Sequence, residues 1–551
     1  MNNLLMESGG ILSAANVEII ICTAFSLFNG LLLCYGAYKF FNILQADGYN
    51  VGKYFRWLFV KCGGYMGRLL VLTFLSVGSL CVTNALFNGY GISNITYLGL
   101  VFYVIFFGMF IKAQTRDTVK KPLVMTARIK RLYVVFFLLC AAATFGLMRI
   151  DILIYGLSFQ HTPVAFMPVF MPFILIIAFY ITYPFEKLNY IRYLMKAKKK
   201  LVRHPSLIKI GITGSFGKTS TKFVLCQILE SKYKVCCSPE SYNTPMGLCK
   251  VILNQLSPED EILIAEMGAR HKGDIKYLCN FINPRYGILT GVGNQHLETF
   301  KTRNAIEMTK IELPQSLGAD GAAVFNADNN TAKRLSALIS NTKVILTGCG
   351  GNYGVRAENI VAEADKTSFD LIIYGHEPIR VTTSLIGEHN VSNILTAAAL
   401  SYELNLTPEE IARAVCALRP VEHRFKISQS NGVTIIDDAF NASVESTNAA
   451  LKALKNFTGR KIVVTPGLVE LGQDEWRENL EFGKNISTVC DYVILVGKKK
   501  SVPIIMGLKD EGFGESAYYV ACDLKDASDH LKQLLRPGDV VLFENDLPFD
   551  Y

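Results

Sequence analysis

Ile208-Lys-Ile-Gly-Ile-Thr-Gly-Ser-Phe-Gly-Lys-Thr-Ser220 carries the clearest structural signal in this chain. The apolar run at its start predicts a buried strand, and Phe223 to Leu229 continues with the apolar spacing of a helix. A glycine-rich turn and Lys-Thr between a strand and a helix are typical of a phosphate-binding loop, because glycines let backbone N–H groups approach phosphate oxygens. A glycine turn without a ligand is the alternative, and the Gly-Lys-Thr sequence disfavours it.

The loop predicts which residues would bind a nucleotide. Lys218 would neutralise charge on the β- and γ-phosphates, and the Thr219 hydroxyl would bind Mg²⁺. The spacing is a variant of the common phosphate loop, because Ile212 occupies the place of the first glycine. The expected nucleotide-binding residues of the loop are Thr213, Gly214, Ser215, Phe216, Gly217, Lys218, Thr219 and Ser220.

Strand and helix patterns alternate from this loop to the C-terminus, which predicts two α/β domains. We expect a central ATP-binding domain at 206–419, with a mostly parallel sheet around the loop. A smaller Rossmann-like domain is expected at 420–551. Apolar runs at 461–465, 492–496 and 540–543 are its clearest strands.

The N-terminal third of the chain differs in composition from the rest. Half of the 551 residues are apolar and 19% are charged, whereas a soluble protein has about 25% charged residues. The apolar excess lies before residue 185, which predicts a helical membrane domain at 1–185 followed by a basic linker at 186–205. The five candidate spans are 17–37, 69–87, 96–111, 132–148 and 166–183.

Positive charges predict the orientation of these spans. Lys and Arg concentrate in the loops after the first, third and fifth spans, and the other loops contain almost none. The positive-inside rule then places the N-terminus outside and the α/β domains in the bacterial cytoplasm. The net charge of +9 is explained by these loops. No basic face with base-stacking aromatic residues is evident, so nucleic acid is not an expected partner.

The glycine-rich loop resembles the ATP loop of the Mur ligases, which build the peptide of bacterial cell-wall precursors. Further segments resemble that family in the same order along the chain. They are Tyr242–Gly247, Ile264–Ala269, Leu289–Glu298, Lys310–Glu312, Asn326–Asp328, Gly387–Asn393, Arg424, Asp437–Ser446 and Pro466–Gly472. The last two look most like the branch that adds D-alanyl-D-alanine to a muramoyl tripeptide. The resemblance covers residues 206–551.

The resemblance implies an ATP-dependent amide-bond ligase. A carboxylate does not condense with an amine unaided, because hydroxide is a poor leaving group; ATP converts it to an acyl phosphate, which the amine then attacks. The implied partners are a muramoyl-peptide-like or lipid-linked acyl acceptor and an amino acid or dipeptide as amine. Membrane lipids and cell-wall synthesis proteins are further expected partners.

The resemblance also implies catalytic and metal-binding roles for particular residues. The expected catalytic residues are Lys218, Glu266, His296 and Lys310, and the expected metal-binding residues are Thr219, Glu266, His296 and Lys310. Two Mg²⁺ ions are expected, with Lys310 converted to a carbamate by CO2. Each role has a structural alternative: a helix-capping carboxylate for Glu266, a histidine in a glycine-rich turn for His296, and an exposed helical lysine for Lys310.

Other roles carried by the resemblance concern the nucleotide and the substrates. The expected additional nucleotide contacts are Asn326, Asp328, Arg424 and Asp438, and the expected substrate contacts are Asn243, Thr244, His389, Asn390 and Asn441. The structural alternative for Asp438 is a strand-end turn, and for His389 and Asn390 it is a helix start that satisfies its own amides. Because these residues come from separate domains, we expect a closure motion that joins them.

Three departures from the family pattern leave the substrates open. Membrane spans replace the usual domain that binds a UDP-linked sugar. The segment 541–548 carries Glu544 and Asp546 where the D-alanyl-D-alanine branch usually has Lys-Gly-Ser, and Phe440 replaces a frequent tyrosine. A ligase for another cell-envelope polymer, such as a polyglutamate, therefore stays an alternative. A nucleotide-gated membrane protein and a non-catalytic scaffold are alternatives from other functional classes.

Overall fold

The protein was analysed as a computed structural model, which describes residues 14–61, 63–87, 96–114, 122–155, 162–239, 241–440 and 442–545. The chain divides into two compact units, the first ending at Tyr190 and the second beginning at Ile191. This division falls inside the basic segment that the sequence predicts as a linker.

The first unit is helical. Its helices are α1 (Ala14–Gly36), α2 (Tyr38–Ala46), α3 (Val51–Arg56), α4 (Gly63–Phe87), α5 (Thr96–Gln114), α6 (Ala127–Tyr155) and α7 (Met167–Val202), the last of which continues into the second unit. Large apolar side chains such as Phe74 and Leu153 are exposed on these helices. Helices that are apolar on all sides are expected in a membrane, because lipid-facing positions need no polar cover.

Three described helices are long and apolar enough to cross a membrane, at Ile19–Gly36, Ala127–Ile154 and Pro163–Val202. A pair bent by 69°, Val51–Val60 with Tyr65–Ser79, raises the number to four if it forms one span. The predicted third span corresponds to a shorter apolar helix, Val101–Lys112. Among the described residues, the prediction of a helical N-terminal domain with several candidate spans is therefore confirmed, and the number five is not.

Polar side chains connect three of these helices inside the first unit. The Asn29 side-chain amide of α1 donates to Thr144 Oγ1 of α6 at 3.0 Å. The Tyr103 hydroxyl of α5 donates to Asn29 Oδ1 at 2.9 Å. All three residues are fully buried. Such hydrogen bonds hold helices together where lipid offers no alternative partner.

The second unit begins with the central domain, whose nine-stranded sheet has the order β2-β3-β1-β4-β5-β6-β7-β8-β9. The strands are β1 (Ile208–Thr213), β2 (Val235–Cys237), β3 (Ile262–Glu266), β4 (Tyr286–Leu289), β5 (Ala322–Asn326), β6 (Lys343–Gly348), β7 (Val355–Ala362), β8 (Thr367–Ile373) and β9 (Ile379–Thr383). Pairing is parallel from β2 to β7 and antiparallel from β7 to β9. The predicted mostly parallel sheet is confirmed.

Helices cover both faces of this sheet. They are α8 (Lys218–Leu229), α9 (Pro245–Asn254), α10 (Asp274–Ile282), α11 (Leu297–Phe300), α12 (Arg303–Lys310), α13 (Glu312–Gln315), α14 (Asn330–Ser336), α15 (Glu388–Glu403) and α16 (Pro408–Cys416). Every residue of β3 and β5 is buried, as expected for parallel strands between two helical layers. The end of α7 joins one of these layers, since Ala197 and Leu201 are buried in the same apolar core as Leu248.

The C-terminal domain contains a six-stranded sheet of order β10-β11-β15-β12-β13-β14. Its elements are β10 (Lys426–Ser430), β11 (Val433–Asp438), α17 (Val444–Leu454), β12 (Lys461–Thr465), α18 (Glu475–Ser487), β13 (Tyr492–Val496), α19 (Lys498–Asp510), β14 (Tyr518–Ala521), α20 (Leu524–Leu534) and β15 (Val540–Glu544). All strands are parallel except β10. The order differs from the 3-2-1-4-5-6 order of a Rossmann sheet, so the prediction is confirmed only as a parallel α/β domain.

The central sheet determines where functional side chains can gather. β1 pairs with both β3 and β4, so that Ile212 lies beside Glu266 and Thr213 beside Leu289. The carboxyl ends of three neighbouring parallel strands therefore meet at one edge. Ligands of open α/β sheets bind outside this edge.

Candidate active site

The glycine-rich loop connects β1 to α8 at this edge. Gly217 precedes the helix with φ of +77°, and a Cβ there would lie 2.8 Å from Asn393 Oδ1, so both backbone conformation and space require glycine. The loop is held by the segment after β4, because the Ser215 N–H donates to Gly291 O at 2.6 Å. The first turn of α8 thus presents its free N–H groups from a fixed position, as phosphate binding requires.

Glu266, at the end of β3, lies beside the first turn of α8. The Thr219 hydroxyl lies 3.1 and 3.2 Å from the two carboxylate oxygens of Glu266. The Asn243 side-chain amide donates to Oε1 at 3.2 Å, and Lys222 Nζ lies 3.5 Å from Oε2. Glu266 is only 1% exposed, and these three polar contacts fix its carboxylate. The helix-cap alternative for Glu266 is not what the structure shows.

A cavity of about 440 Å³ opens beside these groups. Its lining includes eleven residues that the sequence predicts: Ser215, Phe216, Gly217, Lys218, Thr219, Asn243, Thr244, Glu266, His296, Lys310 and Arg424. The four expected catalytic residues are therefore brought together at one cavity. Thr213, Gly214 and Ser220 belong to the same loop segment without lining it.

Two lysines of the cavity have perturbed acidities. Burial lowers the pKa of Lys218 to about 8, partly offset by Glu266. Lys310 is 3% exposed, and burial followed by repulsion from Lys218 places its pKa well below the ordinary value. The exposed-lysine alternative for Lys310 is excluded by this burial. A buried lysine with depressed pKa is a frequent sign of a functional site.

His296 immediately precedes α11, lines the cavity and contacts the C-terminal domain. Its Nδ1 lies 2.5 Å from Glu470 Oε2. Burial lowers the pKa of His296, and the hydrogen bond with Glu470 opposes this shift. The histidine is therefore held by a residue of the C-terminal domain.

Arg424, like Glu470, is a residue of the C-terminal half of the unit that contacts the predicted site residues. Its guanidinium donates to Thr219 Oγ1 at 3.4 Å and to Phe440 O at 3.0 Å. Asp438 accepts from the Phe425 N–H at 3.1 Å and does not line the cavity. Burial raises the pKa of Asp438 to about 6, partly offset by Arg424. Arg424 thus connects the C-terminal domain to the phosphate loop.

Several predicted site residues lie away from the cavity. Asn326 Oδ1 accepts from the Asp328 N–H at 3.0 Å, and Asp328 Oδ1 accepts from the Cys349 N–H at 2.8 Å. The Asn390 side-chain amide donates to Ile386 O at 2.9 Å, at the start of α15. His389 packs edge-on against the Phe425 ring.

For Asn326, Asp328, His389 and Asn390 a ligand-binding role therefore stays a prediction. Asn441 and Asp546 lie outside the described residues. Glu544, 1% exposed, accepts from the Thr447 hydroxyl at 2.9 Å.

The donor set at the cavity fits Mg²⁺ and a nucleotide phosphate. Thr219 and Glu266 offer hard oxygen ligands, and the loop offers N–H groups and Lys218. Among the described residues, no group of three or more His, Cys, Asp and Glu side chains could hold a metal ion by itself. An ion at this place would therefore need phosphate oxygens or a modified Lys310 to complete its coordination.

Sequence reasoning missed three residues of this region. Lys222 is fully buried against Glu266, Asn393 accepts from the Thr221 hydroxyl at 3.0 Å, and Glu470 holds His296. Lys222 follows Lys218 by one helical turn, so its position on the same face could have been noticed. Asn393 and Glu470 lie within segments that carry the family resemblance, but their partners are more than 170 residues away.

Comparisons with known proteins agree with the order of the two α/β domains. Residues 212–401 match the Mur ligase middle domain, and residues 423–544 match the Mur ligase glutamate ligase domain. The UDP-N-acetylmuramoyl-tripeptide–D-alanyl-D-alanine ligase of Mycobacterium bovis is 34% identical over 357 residues, covering 60% of this chain and 69% of that protein. The chain belongs to the Mur ligase family.

Other Mur ligases show the same relation. The Bacillus subtilis enzyme of the same name is 30% identical over 340 residues, covering 61% of this chain and 72% of that protein. A MurF ligase of Thermotoga maritima in complex with ADP is 26% identical with a TM-score of 0.59, covering 66% of this chain and 81% of that one. The MurF structure from Acinetobacter baumannii, 23% identical, has a TM-score of 0.60 over 66% of this chain and 78% of that one, which supports the fold. The predicted class, an ATP-dependent carbon–nitrogen ligase, is confirmed by this membership.

Proposed function

We propose that this chain joins an amino acid or a D-alanyl-D-alanine-like dipeptide to the carboxylate of a muramoyl-peptide precursor, through an acyl phosphate. The single observation that carries the proposal is the meeting of Lys218, Glu266, His296 and Lys310 at one cavity. The relatives named above, which add D-alanyl-D-alanine to a UDP-linked tripeptide, support the substrate class.

The reaction brings two anions together, so the site must concentrate positive charge. Lys218, the N–H groups of the first turn of α8 and the guanidinium of Arg424 line the cavity and would surround the terminal phosphate. A carboxylate oxygen of the acceptor attacks the γ-phosphorus, and ADP leaves. The amine nitrogen then attacks the acyl carbon, loses its proton, and phosphate leaves with the former carboxylate oxygen.

Thr219 and Glu266 would hold one Mg²⁺, and His296 with a modified Lys310 would hold a second. Bound Mg²⁺ supplies charge neutralisation for the phosphate oxygens. In the present arrangement Thr219 and Asn243 hold the Glu266 carboxylate beside the loop, ready to serve as a ligand.

Lys310 would act as a carbamate. Its neutral amine adds to the carbon of CO2 and releases a proton, which converts a cation into an anion. Burial and the nearby charge of Lys218 both favour the neutral amine. The product would replace one of two repelling cations by a metal-binding oxygen group.

The remaining predicted contacts belong to the substrates. Asn243 and Thr244 line the cavity and would contact the acceptor, and Arg424 would contact the nucleotide phosphates. Asn326, Asp328 and Asp438 are proposed nucleotide contacts, and His389, Asn390 and Asn441 are proposed substrate contacts once the domains close further.

The ligase would work at the cytoplasmic face of a membrane, with five spans and the N-terminus outside. Arg192, Lys196 and Lys199 are exposed at i, i+4 and i+7 of α7, on the side opposite the buried Ala197 and Leu201. A basic stripe of this kind can meet anionic headgroups. It would keep the cavity close to a lipid-linked acceptor.

Product analysis tests the proposal. The full chain in lipid nanodiscs is offered ATP, a UDP- or lipid-linked muramoyl tripeptide and D-alanyl-D-alanine, and products are identified by mass spectrometry. We expect phosphate release that requires both substrates and a product heavier by the dipeptide minus water. A parallel reaction supplies glutamate instead of the dipeptide, and incorporation of glutamate alone would support the polyglutamate alternative. ATP binding without amine-dependent turnover would support nucleotide gating or a scaffold and overturn ligation.

A further inference from the structure

Glu470 belongs to the C-terminal domain and contacts His296, a predicted catalytic residue of the central domain. It lies in the loop after β12, and its Oε2 contacts His296 Nδ1 at 2.5 Å. Its Oε1 lies 3.9 Å from the Arg270 guanidinium, and its backbone carbonyl accepts from the Glu298 N–H at 3.4 Å. One residue therefore touches three positions of the central domain, and both His296 and Arg270 line the cavity.

The backbone on both sides of this contact is unusual. His296 has φ of +59° and Glu470 has φ of +62°, a conformation that residues with a side chain rarely adopt. Such conformations persist where the surrounding structure fixes them, and they concentrate at functional sites. Here two residues with positive φ contact each other across a domain boundary. The fold therefore maintains this contact although both backbone conformations are energetically unfavourable.

The loop that carries Glu470 is shaped to approach this segment closely. Gly472 has φ of +61°, and a Cβ there would lie 3.4 Å from the backbone nitrogen of Glu298. The backbones of the two domains therefore meet within van der Waals distance beside the His296–Glu470 pair. The pair can form only when the C-terminal domain is docked against the central domain.

The contact also determines what the histidine can do. A carboxylate on Nδ1 favours the proton there and leaves Nε2 as the ring nitrogen with a lone pair. A carboxylate in this position orients a ligating imidazole and increases its basicity. A docked Glu470 therefore gives His296 one orientation and one tautomer.

We propose that Glu470 is a positioning residue that acts through His296 and couples docking of the C-terminal domain to completion of the active site. This inference rests on the proposed function, since it assigns His296 its role in ligation. The site would be complete only in the docked state, so that ATP is not hydrolysed before the C-terminal domain is in place.

The test compares Glu470→Ala, Glu470→Gln and the control Glu515→Ala in the full chain. Glu515 belongs to the same domain and pairs only at the surface with Lys509. We expect Glu470→Ala to lower kcat by about 10- to 100-fold, as loss of a carboxylate behind a ligating histidine does. The Kd for ATP should change by less than about twofold, because the phosphate loop is untouched. Glu470→Gln should retain an intermediate kcat, since its amide oxygen can still accept from Nδ1.

A double-mutant cycle separates positioning from a general structural effect. Once His296→Ala is present, adding Glu470→Ala should lower kcat by less than about twofold, because two residues that act as a unit are not additive. Losses that multiply would overturn the proposal, as would a Glu470→Ala variant with the kcat of the control.

Hydrogen exchange gives a readout that does not need turnover. In Glu470→Ala the amides of 296–300 should exchange faster than in the wild type, and in Glu515→Ala they should not. If the wild type forms no amide product, the proposed function fails, while exchange still decides the docking contact. Unchanged exchange in Glu470→Ala would overturn the inference even in an active ligase.

Discussion

The cavity has two walls built in different ways. The wall from the central domain carries Lys218, Glu266 and Lys310, which lie on helices and strand ends of one sheet. The wall from the C-terminal half of the unit carries Arg424 and Phe440, which lie in connecting segments, and Ser446, which lies in the first turn of α17. The first wall is fixed by strand register, whereas the second depends on where the C-terminal domain docks.

The two walls therefore depend on domain docking to different degrees. Residues of the first wall keep their positions whichever way the other domain moves, because Thr219 and Asn243 hold Glu266 within one domain. Residues of the second wall act only when docked, since Arg424 reaches Thr219 across the boundary. We expect substitutions on the first wall to have larger effects. Those on the second wall should weaken ATP binding less, because Lys218 and the loop N–H groups would still hold the phosphates.

The largest effect should come from Lys218→Ala. Loss of the cation nearest the phosphate position should lower turnover by at least about 10³-fold, measured as amine-dependent phosphate release. Lys234→Ala, an exposed lysine paired with Glu259, is the matched control. If Lys218→Ala turned over at nearly the wild-type rate, the glycine-rich loop would not be the phosphate-binding loop. The contrast between the two walls would then fail as well.

A somewhat smaller loss, on the order of 10²-fold, is expected for Lys310→Ala, which removes the group for the second Mg²⁺. Formate or acetate should restore part of the activity, because a small carboxylate can enter the space left by the side chain. The same salts should not rescue Lys218→Ala. A lack of rescue together with full activity in CO2-free buffer would exclude the carbamate.

Arg424→Ala tests the second wall and should lower kcat by about 10- to 100-fold. Arg424→Lys should recover little, since a lysine cannot contact Thr219 and Phe440 O at once. The Kd for ATP, measured by calorimetry, is expected to stay within a few-fold. A large loss of ATP affinity with unchanged kcat would mean that Arg424 acts in nucleotide binding, like the residues of the first wall, and not in the reaction step.

The smallest effect concerns pH. The pKa of Lys218 is lowered to about 8 by burial, so the side chain is mostly charged at pH 7 and mostly neutral at pH 9. Because ATP binds to the charged form, its Kd should rise roughly tenfold over this interval. Lys218→Arg should show no such rise. A flat profile for the wild type would mean that loop N–H groups alone determine affinity.

Much of this architecture could be predicted from the sequence. The strand, glycine-rich loop and helix follow from local patterns, and the phosphate-binding edge follows from the order of parallel strands. The position of β15 between β11 and β12 could not be read from apolar runs, because strand order is set by packing over long separations. The pattern also did not determine the number of spans, because the helices Val51–Val60 and Tyr65–Ser79 meet at a 69° bend and count as one span only if they are taken together.

The site shows the same limit. Lys218 follows directly from the glycine-rich loop, whereas Glu266 and Lys310 are predicted only through the family resemblance. Lys222 was overlooked because a lysine on a helix normally faces water, whereas here it is fully buried beside Glu266. Glu470 was overlooked as a site residue because its partner His296 belongs to another domain, and no local pattern reveals a contact across a boundary.

The end of α7 has a practical consequence for work on the catalytic half alone. Lys200 Nζ donates to Leu256 O at 2.6 Å. Ala197 and Leu201 are buried in the apolar core of the central domain. A truncation at residue 206 would remove the end of α7 and expose the apolar surface of the central domain that it covers. A soluble version cut just before Ile191 should stay monodisperse where the shorter one precipitates.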